Sequence, residues 1–192
     1  MALMQLTKAI VIDNGSKNRY TISYCFFIMT VFMSTYTMVK GQPLQTVPTV
    51  DLKKYAGKWH EIASFPQYFQ KGCHCTTAEY TVTDKGYVIV ENRCNRGSVT
   101  GKQSYIKGKA FVVKNSGNAK LKVQFFWPFK GKYWIIDLAD DYNYAVVSNP
   151  NRKYLWILSR TPNLNETVYQ QITTRLKEKG FDMAKLQHTQ QI

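Results

Sequence analysis

The chain has 192 residues, 44% of them hydrophobic and 14% aromatic, enough apolar material for one buried core and too much for a disordered chain. Its 26 Lys and Arg against 12 Asp and Glu give a net charge of +14. The basic residues are scattered, and Lys107, Lys109, Lys114, Lys120 and Lys122 are interspersed with apolar residues; this describes the wet face of strands, argues against a nucleic-acid partner, and leaves attraction to an anionic membrane surface.

Residues 22–39 form the long apolar run of the chain, with Lys17 and Arg19 before it and Lys40 after it. A positive flank ahead of an apolar stretch reads as a secretory signal, so residues 1–41 are expected to be a signal peptide or signal-like segment and the protein to be exported. The rival is a retained anchor, but the run is barely long enough to span a bilayer and Ser and Thr interrupt it. Cys25 lies inside the run and no Cys follows it closely, so a lipid-modified N-terminus is not supported. Residues 42–49, with Pro43 and Pro48, read as an extended linker. The domain proper is expected over 50–190.

From Gly57 the chain reads as short strands between turn signals. The predicted strands are 57–64, 73–83, 87–96, 104–114, 121–127, 133–138, 142–148 and 154–160. Asp84-Lys85-Gly86 is a hairpin turn with Gly where positive φ is needed. Further breaks fall at Gly97 to Gly101, Asn115 to Asn118, Pro128 to Gly131, Ala139 to Asp141 and Asn149-Pro150-Asn151. Hairpin-length connections throughout predict an all-β, up-and-down antiparallel barrel, whose closure removes exposed strand edges. Eight strands leave an interior just wide enough for one small ligand.

After Arg160 the period changes. Asn165 is a suitable N-cap, and Val168, Ile172 and Leu176 recur every four residues, which predicts an amphipathic helix packed on the barrel wall. Lys177 and Lys179 suit its last turn and Gly180 its stop. Asn165-Glu166-Thr167 also matches a glycosylation sequon, although capping explains it more simply. Residues 181–191 form a polar tail that can add a last short strand.

Three separated pieces then coincide: Gly57-Lys58-Trp59 opening the first strand, Asp141-Tyr142 before the seventh, and Leu158-Ser159-Arg160 ending the eighth. Together with the stretches 50–63, 69–72, 77–80 and 154–162 they resemble the lipocalin family, in particular its bacterial outer-membrane Blc type and the apolipoprotein D-like and plant temperature-induced members. The resemblance runs over about residues 50–190. It implies that Trp59 plugs a closed end of the barrel under the guanidinium of Arg160, and that Asp141 and Tyr142 shape the turn there. One departure is His60, where most relatives have Tyr.

Cys73, Cys75 and Cys94 follow the signal-like segment and predict one disulfide and one leftover thiol in an exported chain. Counting across the hairpin sets Cys75 opposite Cys94. The lipocalin pattern instead has its Cys at Cys73, and one β-bulge would restore Cys73–Cys94. That pairing is preferred, with Cys75–Cys94 as the alternative. Cys73-His74-Cys75 is a loose spacing with His74 on the opposite strand face, and His60, His74 and His188 form no spaced cluster, so neither metal nor cofactor is expected.

For a ligand site, Tyr154 and Trp156 share one face of the last strand, and Trp156 looks like the position that lines the cavity in Blc-type proteins. Phe125, Trp127 and Trp134 are the other candidates, although their strands are apolar on both faces. The plain alternative is that these aromatics fill a solid core. An open apolar interior would suit an acyl chain, each buried CH₂ contributing about 0.8 kcal/mol. Its polar head would sit at a mouth formed by residues 65–72, with Lys71, and the 128–131 turn. The resemblance implies a fatty acid or lysophospholipid, bound for membrane maintenance without catalysis, in the periplasm or outer membrane of a bacterium or secreted from another cell. A homodimer is left open. The alternative function is a lipid-modifying enzyme working through a free pocket cysteine.

Overall fold

A computed structural model describes residues 42–192. The signal-like segment at 1–41 lies outside the described residues. The elements run α1 (Leu52–Tyr55), β1 (Gly57–Ser64), β2 (Cys73–Val82), β3 (Val88–Arg96), β4 (Lys102–Val112), β5 (Lys120–Gln124), β6 (Gly131–Leu138), β7 (Tyr144–Ser148), β8 (Leu155–Ser159), α2 (Glu166–Glu178) and β9 (Gln187–His188). Each strand from β2 to β8 is antiparallel to the next, β8 pairs with β1, and β1 pairs back onto β2. The ring is therefore a closed eight-stranded barrel with no free edge. β9 adds only Ala63↔His188 and Ser64↔Gln187 beside β1.

Most strand ends shift by one or two residues from the sequence reading, β4 to Lys102–Val112 and the start of β6 to Gly131 among them, and two shifts have a clear cause. β5 stops at Gln124 rather than at Trp127, because Pro128 has no N–H to give to a ladder and the Phe129 N–H instead closes a turn on the Phe126 carbonyl at 2.9 Å. β7 starts at Tyr144 rather than Tyr142, because Tyr142 has φ +60° and belongs to the preceding turn.

Side chains alternate between two apolar clusters. Trp59, Tyr80, Val90, Ala110, Leu121, Ile135, Val147 and Leu158 fill the inside of the barrel. Ile62, Ile136, Val146, Leu155 and Ile157 point outward and meet Tyr169, Ile172 and Leu176 of α2. This is why β6, β7 and β8 are apolar on both faces: one face lines the barrel and the other is roofed by the helix. The Asn165 side chain accepts from the N–H groups of Thr167 and Val168 at 2.9 and 3.3 Å and starts α2. Gly180, at φ +79°, ends it, with the Phe181 N–H reaching the Leu176 carbonyl and the Gly180 N–H the Lys177 carbonyl; this is a Schellman stop. Arg175 ties the helix to β6, its Nε donating to Asp137 at 2.8 Å.

Residues 42–49 form no helix or strand. Leu44 is buried in the outer cluster, and the Val47 N–H donates to the Ile135 carbonyl at 3.0 Å, so the segment is docked on the barrel.

Candidate functional site

The two ends of the barrel are chemically unlike. At the end where β1 begins, Trp59 is fully buried and its indole N–H donates to the Tyr55 carbonyl at 2.8 Å. The Arg160 guanidinium lies 3.8 Å over the indole ring. Its N–H groups donate to the carbonyls of Ala56, Lys58, Lys54 and Tyr142 at 3.0, 3.0, 2.6 and 3.2 Å. One planar fork thus joins α1, β1 and the β7 approach. Gly57 sits directly beneath it, at φ +92° and with room for a Cβ only 3.5 Å from Arg160 Nη1. Asp141 accepts from the Asn143 N–H at 3.0 Å, and the Tyr142 hydroxyl accepts from the Asp51 N–H at 2.9 Å, so the turn and the start of α1 are pinned together.

Above that floor stands a chain of buried phenols. Tyr133 is hydrogen-bonded to Tyr55 at 2.7 Å and to Tyr80 at 2.8 Å. Burial pushes all three hydroxyls up, Tyr80 to about 12. They stay neutral at physiological pH and provide polarity without charge.

Toward the other end the inner wall opens. On β2 the inward side chains go from buried Tyr80 to half-buried Ala78, on β3 from Val90 to Asn92, and on β4 from Ala110 to Gly108 and Ile106. On β5 they go from Leu121 to Val123, and on β8 from Leu158 to Trp156. The inner wall is thus wholly buried near Trp59 and mostly half-buried toward the other end, where Cys94 and Glu61 remain buried. At the mouth the Trp156 indole N–H donates to Gln70 Oε1 at 3.0 Å, while Gln70 Nε2 donates to Glu61 Oε2 at 2.8 Å. Glu61 is 5% exposed, and Ser64 Oγ and Thr189 Oγ1 also donate to it. No cation pairs with this carboxylate among the described residues.

A pocket of 590 Å³ lies under the β1–β2 loop, lined by Glu61, Ser64, Gln67, Gln70, Lys71 and His74 among others, with the tail at Gln187–Gln190 on its far side. Gln67 is buried and neither polar atom of its amide has a hydrogen-bond partner among the described residues.

The five aromatic candidates part company here. Trp156 faces the interior, and Tyr154 stacks on it with ring centroids 6.0 Å apart. Phe125 packs against the inner cluster, its ring lying over Gly108, where a Cβ would stand 2.7 Å from it. Trp127 is 87% exposed on the β5–β6 loop, because β5 has already ended. Trp134 points outward: it shares a face with Ile136, packs against the outer cluster and carries the Lys120 ammonium 4.5 Å over its ring. The inward residue of that pair is Tyr133. None of the five lines the rim pocket. Glu61 was open to discovery from sequence, since it shares the parity of Trp59 on β1; Gln67 and Gln70 sit on an irregular loop with no periodic signal.

The disulfide joins Cys73 and Cys94, with Cα atoms 5.4 Å apart. The register of β2 against β3 shifts between His74 and Thr77, the bulge that this pairing requires. Cys75 occupies the bulge at φ +51° and its thiol donates weakly to the Val99 carbonyl at 3.8 Å. Among the described residues no group of His, Cys, Asp and Glu is arranged to hold a metal, and no helix is long and apolar enough to cross a membrane.

Residues 50–191 match the family described as a lipocalin-like domain. The chain is similar to the outer membrane lipoprotein Blc of Vibrio cholerae, 40% identical over 154 residues that cover 79% of this chain and 90% of the relative. It is 37% identical to temperature-induced lipocalin-1 of Arabidopsis thaliana over 163 residues, 80% of this chain and 86% of the relative. It is 34% identical to apolipoprotein D of Mus musculus over 187 residues, 85% and 95% of the two chains. Among solved structures, insecticyanin from the tobacco hornworm Manduca sexta superposes with a TM-score of 0.62 at 25% identity, covering 76% of this chain and 83% of that one.

Proposed function

The chain belongs to the lipocalin family, and from that premise we propose that it holds one fatty acid or lysophospholipid in the open half of its barrel and carries or stores it for membrane maintenance. The observation that carries this reading is the change along the inner wall, from wholly buried side chains near Trp59 to half-buried apolar ones near Trp156. An acyl chain descending from the mouth would meet Ala78, Ile106, Val123, Phe125 and Trp156. Each methylene removed from water there contributes about 0.8 kcal/mol. The polar head would stay at the rim, where Gln67 has an unmatched amide and Lys71 supplies a cation. Trp134 has no part in this site, and Trp127 meets the ligand only if the β5–β6 loop turns inward. Tyr154 buttresses Trp156.

The proposed role is binding without chemistry. Cys75 does not line the pocket and faces a backbone carbonyl rather than a base. Export fits the relatives, among which Blc is named an outer membrane lipoprotein. We therefore assign residues 1–41 to an export signal, 42–49 to the lead-in and 50–190 to the ligand-holding domain, acting in the periplasm or at the outer membrane of a bacterium, or secreted elsewhere.

Native mass spectrometry of protein purified without detergent from its own host tests this. The expected result is a one-to-one adduct with the mass of an acyl lipid. A ligand-free protein that forms no adduct when fatty acid or lysophospholipid is added would contradict it.

A further inference from the structure

Of the eight large apolar side chains exposed among the described residues, Val82, Tyr105 and Ile192 stand apart and the other five fall on two loops. Tyr68 and Phe69 stand on the β1–β2 loop, and Phe126, Trp127 and Phe129 on the β5–β6 loop, with Tyr68 95% exposed. Both loops are at the open end, and they cap strand pairs that lie four strands apart in an eight-stranded ring, on opposite sides of the mouth. The loops are held in place: Arg96 donates to the carbonyls of Lys71 and Phe69, and the Phe129 N–H closes its turn on Phe126. Aromatic residues displayed in this way are unfavourable in water and favourable at the boundary between lipid headgroups and acyl chains.

The mouth is also basic. The four open-end connections, residues 65–72, 97–101, 125–130 and 149–154, contain no Asp or Glu, while Lys71, Lys130 and Lys153 are exposed on them, and Lys132 just beyond. At the opposite end Asp51, Asp84, Asp140 and Asp141 are balanced by Lys53, Lys54, Lys85 and Lys114 in the turns and cap of that end. The rim around the mouth is therefore aromatic and purely cationic, while the closed end is of mixed charge.

We propose that this rim docks on an anionic lipid bilayer, with the two aromatic loop tips seated in the headgroup layer and the lysines on the lipid phosphates, so that the mouth faces the membrane. A bilayer fits better than a protein partner because the aromatics form two separate tips astride an opening, with a cationic fringe. The inference deepens the ligand-carrier reading, giving the lipid a route that avoids water, but it does not depend on which ligand is held.

The test uses the full chain and ligand-free vesicles, of phosphatidylcholine alone or mixed with phosphatidylglycerol. Wild type is compared with the triple variant Phe69→Ser, Phe126→Ser, Phe129→Ser, whose altered side chains are all exposed. Phe69 also meets the Tyr154 ring at a tilt, with centroids 6.3 Å apart, so a Phe126→Ser, Phe129→Ser variant that leaves this contact intact is measured beside it and is expected to lose binding in the same direction. Residues 1–41 are common to all of these proteins, so the difference reports the rim. The expected results are binding that favours the anionic vesicles and weakens with salt, and a loss of about tenfold or more in the triple variant. Brominated acyl chains should quench tryptophan emission in the wild type, and Trp127→Phe should remove most of that quenching. Equal binding of wild type and triple variant, or quenching unchanged in Trp127→Phe, would overturn the proposal. Because the assay contains no soluble ligand, a protein that docks yet takes up no acyl lipid would refute the carrier reading and leave the docking surface standing.

Discussion

Arg160 shows how one side chain can fix an end of a barrel. Its charge sits on an indole face and carbonyls accept from four of its five N–H groups, so most of its desolvation is offset. Lysine has a single ammonium and no planar fork, and cannot reach carbonyls on three segments at once. Arg160→Lys is therefore expected to cost about 2 kcal/mol in urea unfolding while leaving ligand stoichiometry unchanged, since the mouth is at the far end. Unaltered stability would mean that the fork is ornamental. These residues were legible in sequence through the resemblance to the lipocalin pattern, and the structure shows what each does: Gly57 takes a positive φ under the guanidinium, Trp59 is fully buried, and Arg160 covers the face of that ring. The rim residues were not. Gln67 and Gln70 owe their positions to an irregular loop, and the outward turn of Trp134 could not be read from Tyr133-Trp134-Ile135-Ile136, where both parities are apolar.

At the scale of elements, turn chemistry set most of the boundaries. Gly86, Gly97, Gly117 and Gly180 take positive φ at the breaks where the chain needs them. The exceptions came where another force acted. β5 gave up its last residues to a proline turn, and α2 buries Tyr169 alongside the stripe of Ile172 and Leu176, because the helix meets a broad wall and not a single ridge. The β2–β3 pair was ambiguous in sequence, since regular counting favours Cys75 and only the bulge selects Cys73. With the bridged cysteines 21 positions apart, the bond restricts the unfolded chain and adds about 3 kcal/mol. A Cys73→Ser, Cys94→Ser variant should lose about that amount in chemical denaturation, and reductant should lower the wild type to the same level without affecting the variant. A wild type insensitive to reductant would show that the hairpin is held by its ladder alone.

Taken as one molecule, the protein is a barrel with a locked floor, a roof of helix on one outer wall, and a mouth dressed in aromatics and lysines. The net charge of +14 was visible at once, but its meaning was not: the composition hides the fact that the four open-end connections carry lysines and no Asp or Glu, while the closed-end turns mix both signs. The central claim is that a lipid chain enters past Trp156 into the half of the barrel whose inner wall is not filled. The direct measurement is tryptophan emission during titration of the ligand-free protein with palmitoyl lysophospholipid, carried out on wild type, Trp156→Phe and Trp134→Phe. The account predicts saturable one-to-one binding whose emission change is lost in Trp156→Phe and kept in Trp134→Phe. An emission change that survives Trp156→Phe and disappears with Trp134→Phe would place the ligand on the outer wall and contradict the account.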